Sequence, residues 1–558
     1  MKISPYLIYL TTISVDSGEV PNDIITKLPN LSLLNLSKNY FQGHVPWESM
    51  KNLFTLDLSS NYITDDIQKI FSMSSDYLIS YLDLSNNKFY GSFTNMTNLF
   101  AGYSSLIFSN NNISGELPLG ICNTSFEVLD ISNNKLTGVL PDCIGRADIW
   151  ALKLSANYLE GSLPSEICAK SSRWLLDLSD NKLSGSIPPC SNGSSLQIID
   201  LSKNNLSGNF PISWLNIPDL KAIDIGKNHL SGELPIWNGS ESNLKVLLAR
   251  DNTFGGPISE HLCQFKYLRI LDLSHNNLFG QIPSCIFDMG LKDDSVFFLG
   301  IELAYSFGIG ELNYTNFLLH ISKSITLDRD ELPNFGLELM SKGRFDLYWS
   351  QILLLERIID LSSNKLVGNI PEEIGQMTWL ITLNLSNNYL TGAIPDSVSK
   401  LRQLLSLDLS HNSLTGQIPR ELTKLTSLEV FSVAYNNLSG PTLDLKAQFG
   451  TFDNRSYEGN PNLCGPPLSK SCFSYHDTKL PSQNKTGNDQ GGESINFLIL
   501  FGSFALFFVV SFWGLITVLY FKSNWRYGLF NLVDEYGDMI YVRVVLFVRK
   551  IRAAQRNN

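Results

Sequence analysis

The sequence holds none of the short constellations that carry catalysis: no GxSxG, no HExxH, no P-loop, and no Gly-rich loop with HRD and DFG. It has no CxxC and no His/Cys cluster at zinc spacing. Charged residues make up only 17% of the 558, and Asp+Glu outnumber Lys+Arg by 53 to 42. These absences exclude a kinase, a serine or zinc hydrolase and a structural zinc protein. The acidic balance argues against a nucleic-acid partner. No cofactor is expected.

One pattern is abundant. The frame Leu-x-x-Leu-x-Leu-x-x-Asn-x-Leu-x-Gly-x-Ile-Pro recurs fifteen times, eleven from Asn39 to Asn276 and four from Asn364 to Asn436, at a spacing that settles to 24 residues. A unit this short cannot enclose a core, so its leucines are buried only by stacking on neighbouring units. Alternation such as Leu407, Asp408, Leu409, Ser410 describes a short strand with leucines in and polar residues out. The following Asn can satisfy orphaned turn groups, and Gly392 and Pro395 shape the return. The expected fold is an α/β repeat solenoid, a curved leucine-rich-repeat superhelix with a concave parallel sheet.

Breaks in the period divide the chain. Residues 1–17 have one Lys and a modest apolar run, a weak signal-like or truncated start, and SGEVP (Ser17–Pro21) resembles the tail of a repeat that lacks its strand. Repeats cover 18–288. Between Asn276 and Asn364 lie 88 residues where 24 would continue the array, so 289–355 is an aromatic, irregular island insertion. Repeats resume over 356–441, a cysteine-closed cap follows over 442–472, and 473–495 is a polar stalk. Asn496–Phe521 has no charge in 26 positions and is long enough, at about 39 Å as a helix, to cross a membrane. The tail, 522–558, carries seven Lys+Arg against three Asp+Glu, which places it in the cytoplasm and the repeats outside, as a single-pass type I protein of the plasma membrane. Only Gly502, Ser503, Ala505, Ser511 and Gly514 offer small surfaces for helix packing in the span.

Cysteines and sequons agree with an extracellular body. Cys122, Cys168 and Cys263 lie four past the Pro slot of their repeats, and Cys143, Cys190 and Cys285 lie two past the Pro of the next. Rungs about 4.7–4.9 Å apart permit bridges between them. The pairing Cys143 with Cys168 also joins neighbours, at the expense of isolating Cys122 and Cys190. Cys464 and Cys472 would close the open end of the stack. Thirteen N-glycosylation sequons, at Asn30, Asn35, Asn95, Asn112, Asn123, Asn192, Asn205, Asn238, Asn313, Asn384, Asn437, Asn454 and Asn484, all precede the apolar span.

Ligand contacts are sought where the concave strands leave consensus. Lys153 replaces Asp, Leu248 and Arg250 replace Asp and Ser, and Trp150 and Trp174 share one slot in adjacent rungs. In the island the candidates are Tyr305, Tyr314, Arg329, Arg344, Tyr348 and Trp349. His275 and His411 recur in frame three residues after Asp272 and Asp408 with no nucleophile beside them, which gives them a structural role.

The chain resembles the plant leucine-rich-repeat receptor-like proteins, kinase-lacking and single-pass. Four features carry the resemblance: the LxGxIP repeats, an insertion ahead of IIDLSSNKLVGNIPEEIG, the cap FDNRSYEGNPNLCGPPLSKSC, and Trp525, Arg526, Phe530, Val533 and Asp534 after the span. The resemblance implies a cell-surface receptor that is not an enzyme. Its ligand would be an extracellular peptide, protein or glycan from a microbe or the plant itself, sensed by the concave face and island. Signalling would pass through a leucine-rich-repeat receptor kinase adaptor and a co-receptor kinase docked on the last repeats, in plant immunity. The alternatives are a developmental peptide receptor subunit, a ligand decoy or enzyme-inhibitor-type binding protein, and a nonfunctional truncated receptor.

Overall fold

The structure is a computed structural model of the chain. It describes residues 31–289 and 356–472 with breaks at 51, 72–78, 94–102, 169–172, 191–193, 236–241 and 446, and also 7–9, 18–20, 336–341 and 344–349. The chain divides into two units, Met1–Ser474 and Tyr475–Asn558, and every described residue belongs to the first. The stalk, the apolar span 496–521 and the tail lie outside the described residues. Among the described residues no helix is long and apolar enough to cross a membrane.

Each repeat contributes one short strand to a single parallel sheet of sixteen, from Leu7–Tyr9 to Val430–Ser432 in chain order. Registers are constant from rung to rung: Leu247 faces Leu271, which faces Ile359, which faces Leu383. The sheet runs straight across the island, because Ile270–Asp272 pairs directly with Ile358–Asp360. The rung ending in SGEVP has its strand after all. Leu7–Tyr9 pairs in parallel with Leu33–Asn35, and Gln42 N donates to Gly18 O at 3.1 Å.

After each marker Asn the chain turns onto a flank, where second strands such as Lys182–Ser186, Asn205–Asn209 and His229–Glu233 form smaller parallel sheets. The outer side corrects one expectation. In place of the helical layer of an α/β solenoid stand 3-10 turns, such as Glu372–Gln376 and Asp396–Lys400, and Ile67–Phe71 is the one α-helix among the described residues. The Pro that opens most of these turns holds φ near −63° at Pro371 and Pro395, and some five residues then remain before the chain must climb back to the sheet. Five residues make one tight turn and too little α-helix to be stable.

The interior is a continuous column of buried leucines and isoleucines, among them Leu34, Leu56, Leu271, Leu383 and Leu407. The marker Asn locks consecutive rungs together. Asn276 Nδ2 donates to the carbonyls of Ala249, Leu273 and Ser274 at 3.0–3.1 Å, and its Oδ1 accepts from Phe254 N at 3.0 Å. The residue before each marker is held at φ of 51–56°, though none is glycine. That left-handed conformation is unfavourable for an L side chain, and the Asn bonds hold it. His275 and His411 occupy this slot, consistent with a structural role. His411 stacks on Tyr435 with ring centroids 4.4 Å apart.

Four disulfides close Cys122–Cys143, Cys168–Cys190, Cys263–Cys285 and Cys464–Cys472, the first three with Cα atoms 5.0–5.8 Å apart on adjacent turns. Gly145 lies where the first two of these turns meet; a Cβ there would sit 2.1 Å from the Glu166 carbonyl. Arg173 takes a leucine slot in the same region and is fully buried. Its guanidinium donates to the carbonyls of Ile144, Ala147, Ile149 and Ile167, and burial holds its pKa down at about 10.

Candidate ligand-binding face

The strand alternation that turns leucines inward sends two residues per rung to the concave side, and parallel registry lines them up in columns. One column is apolar. Ala151, Leu175, Ile198, Ala222, Val246, Ile270 and Ile358 face one another across seven consecutive strands. They form a cluster separate from the interior core, and it includes Leu337 of the island. Leu337 lies in an antiparallel hairpin of Gly336–Ser341 with Arg344–Trp349. The island therefore packs at least this leucine onto the concave sheet beside the rungs it interrupts.

The adjacent column is mostly carboxylate, running Asp177, Asp200, Asp224, Leu248, Asp272 and Asp360. Burial is the first cause of raised pKa values here. It lifts Asp360 to about 7 with the Asp272 charge adding, and Asp224 to about 6 although Arg250 pulls the other way. Asp200 is raised by burial and then by the charges of Asp224 and Asp177. Serines two residues on compensate in part: Ser274 Oγ and Ser362 Oγ donate to Asp272 and Asp360 at 2.6 Å.

Two sequence candidates change role. Leu248 and Arg250, expected as exposed anchors, are buried. Leu248 fills the apolar cluster, and Arg250 Nη1 lies 3.6 Å from Asp272 Oδ2 with both side chains at most 3% exposed. An arginine in a serine slot has the reach to neutralise the carboxylate of the next rung. Lys153, in the Asp slot, pairs more openly with the preceding rung, 3.3 Å from Asp130. Trp150 and Trp174 are half-buried neighbours, joined by Trp174 N donating to Trp150 O at 2.9 Å, and Trp174 packs on the apolar column. Arg344, Tyr348 and Trp349 fall in the second hairpin strand. Tyr305, Tyr314 and Arg329 lie outside the described residues.

The slot of the two tryptophans also holds residues that sequence reasoning passed over. Followed down the stack it carries Lys221, Lys245, Arg269 and Arg357, one per rung, joined by Lys245 N donating to Lys221 O at 2.8 Å, Arg269 N to Lys245 O at 2.9 Å and Ile358 N to Arg269 O at 3.0 Å. Four cations in register on an acidic chain were legible as the residue one ahead of the apolar column. A shallow cleft of about 560 Å3 opens elsewhere, on the flank, where Ile258, Gln281, Pro283, Gly368, Asn369 and Pro371 meet.

The architecture is that of a leucine-rich-repeat solenoid with an interrupted array. The leucine-rich-repeat family model matches residues 357–414 and 378–438, and a second model of the same repeat matches 125–147, 175–193, 195–217 and 267–289. The chain is 45% identical over 285 residues to Receptor-like protein 45 of Arabidopsis thaliana, covering 50% of this chain and 30% of that protein. It is 42% identical over 310 residues to Receptor-like protein 56 of the same plant, covering 53% and 32%. Among solved structures it resembles the Arabidopsis receptor kinase HAESA, crystallised with the peptide hormone IDA and the co-receptor SERK1. That match has a TM-score of 0.59 and 27% identity, over 81% of this chain and 65% of that one. The chain is similar to plant leucine-rich-repeat receptor-like proteins, and it spans about a third of the length of the curated relatives it matches.

Proposed function

We propose that the protein is a kinase-lacking cell-surface receptor of plant immunity, which binds an extracellular peptide, protein or glycan on its concave sheet and signals through partner kinases. The observation that carries this is the coincidence of three features on rungs Ala222 to Ile358: the apolar column, the cation column, and the island hairpin seated through Leu337. On these rungs the apolar and carboxylate columns are themselves buried, so an extended ligand meets the cation column, where Lys221, Lys245 and Arg357 are half-buried, and is read there by its charge. In this reading residues 496–521 anchor the chain, and an adaptor kinase and a co-receptor kinase supply catalysis. A further support is the resemblance to a receptor ectodomain solved with a peptide and a co-receptor.

The test uses the full tagged chain in plant leaves. It should stay with membranes through alkaline extraction and co-precipitate a receptor kinase, with a second kinase recruited on treatment with microbial extracts. Release of the chain as soluble protein overturns the membrane assignment. Recruitment by endogenous peptides alone moves the role from immunity to development.

A further inference from the structure

Three sequons share one place in the repeat. Asn112, Asn205 and Asn437 each follow a marker Asn directly, in the pairs Asn111–Asn112, Asn204–Asn205 and Asn436–Asn437. The first member of each pair points inward: Asn204 Nδ2 donates to Leu178, Leu201 and Ser202 carbonyls, and Asn436 Nδ2 to those of Leu409, Val433 and Ala434. The next residue therefore points outward, where the chain turns from the concave sheet onto the flank. All three are exposed, and Asn112 and Asn205 open the flank strands Asn112–Gly115 and Asn205–Asn209.

Asn35 is a sequon of the opposite kind. It stands in the carboxylate column, in register with Asp57, and is 5% exposed. Its Nδ2 donates to Asp57 Oδ2 at 2.9 Å, and its Oδ1 accepts from Ser37 N and Oγ at 2.9 and 2.7 Å. A sugar on that nitrogen has no room without displacing the neighbouring rung.

We propose that Asn112, Asn205 and Asn437 carry N-linked glycans in a row along one flank, and that Asn35 is unmodified in the folded protein. This rests on the extracellular placement above. In the transfer, the amide nitrogen bonds to the anomeric carbon of a lipid-pyrophosphate-linked oligosaccharide, the carbon–oxygen bond to the pyrophosphate breaks, and the amide gives up one proton. The secretory pathway supplies that donor. The row coats its flank with carbohydrate, so a protein partner approaches these rungs from another side.

The experiment is glycopeptide mapping of the full chain purified from plant cells, deglycosylated with N-glycosidase A in heavy-oxygen water so that each glycosylated Asn becomes a labelled Asp. Label at 112, 205 and 437 with unlabelled Asn35 supports the proposal. Label at Asn35, or at other sequons while any of the three stays bare, overturns it. No label at any sequon overturns the extracellular placement itself, a separable failure. As a second reading, Asn205→Gln should remove one glycan's increment of gel mobility, whereas Asn35→Gln should remove none; equal shifts contradict the inference.

Discussion

Rungs Ile198 to Asp272 and rungs Thr382 to Ser432 share the same repeat scaffold, yet their concave faces differ. Both have the Asn ladder, the left-handed residue before it and the Pro-started turn. In the first region the concave column reads Ile198, Ala222, Val246, Ile270; in the second it reads Thr382, Ser406, Val430, and since Thr382 and Ser406 are buried as well, the difference is one of polarity. The difference teaches that the inward positions of a repeat build the stack, while the outward positions are free to change polarity, apolar where the island's Leu337 packs and more polar beyond it.

The comparison breaks most sharply at Arg250. Arg250→Ala leaves Asp272 and Asp224 without their cation in a buried setting, so we expect a loss of about 3–5 kcal/mol, read as a lower denaturation midpoint of the ectodomain at neutral pH. Next, Asn276→Ala and Asn412→Ala should each cost on the order of 3 kcal/mol, because each strands several buried carbonyls. Equal losses in the two regions would confirm a common scaffold; a loss confined to one would refute it.

Leu337→Ala should cost about 2–3 kcal/mol of hairpin docking with little effect on the last rungs. Limited proteolysis between Gly336 and Trp349 reads it: faster cleavage there, unchanged cleavage after residue 380, is the expected outcome. A smaller effect is the pH profile. Asp224 and Asp360 bind protons more tightly folded, at about 6 and about 7, than unfolded, at 3.8. Their contribution to stability is full below about 4 and is lost as pH rises through 6 to 7, so the melting temperature should be higher at pH 5 than at pH 7.5. Asp224→Asn should flatten part of that slope. Least of all, Tyr389→Ala, at a side chain 60% exposed on the flank, should leave the melting temperature unchanged.

Much of the fold was legible because a 24-residue period leaves one way to bury its leucines. The offset of the cysteines narrowed the bridges to two pairings, and closure of the stack chose Cys122–Cys143 and Cys168–Cys190 over the rival. The first rung's strand escaped notice because Leu7–Tyr9 lies outside the 24-residue spacing, and Arg173 because a buried arginine looks like any surface cation until its carbonyl partners are in place.

The candidate site was legible only in part. Departure from consensus drew attention to Leu248 and Arg250 but not to their burial, since that depends on which residues the stack brings above and beside them. Lys221, Lys245, Arg269 and Arg357 stand 24, 24 and 88 residues apart in the chain and become one column only in register.

The sequence by itself determined the repeat, the inward leucine column and the asparagine ladder, because these are local and recur at a period that any single rung announces. Which outward residues meet across rungs, which carboxylates lose water, and where the island's Leu337 comes to rest were decided by the tertiary structure. Those outcomes belong to neighbours distant in the chain, and only their stacking sets the distances on which charge and burial act.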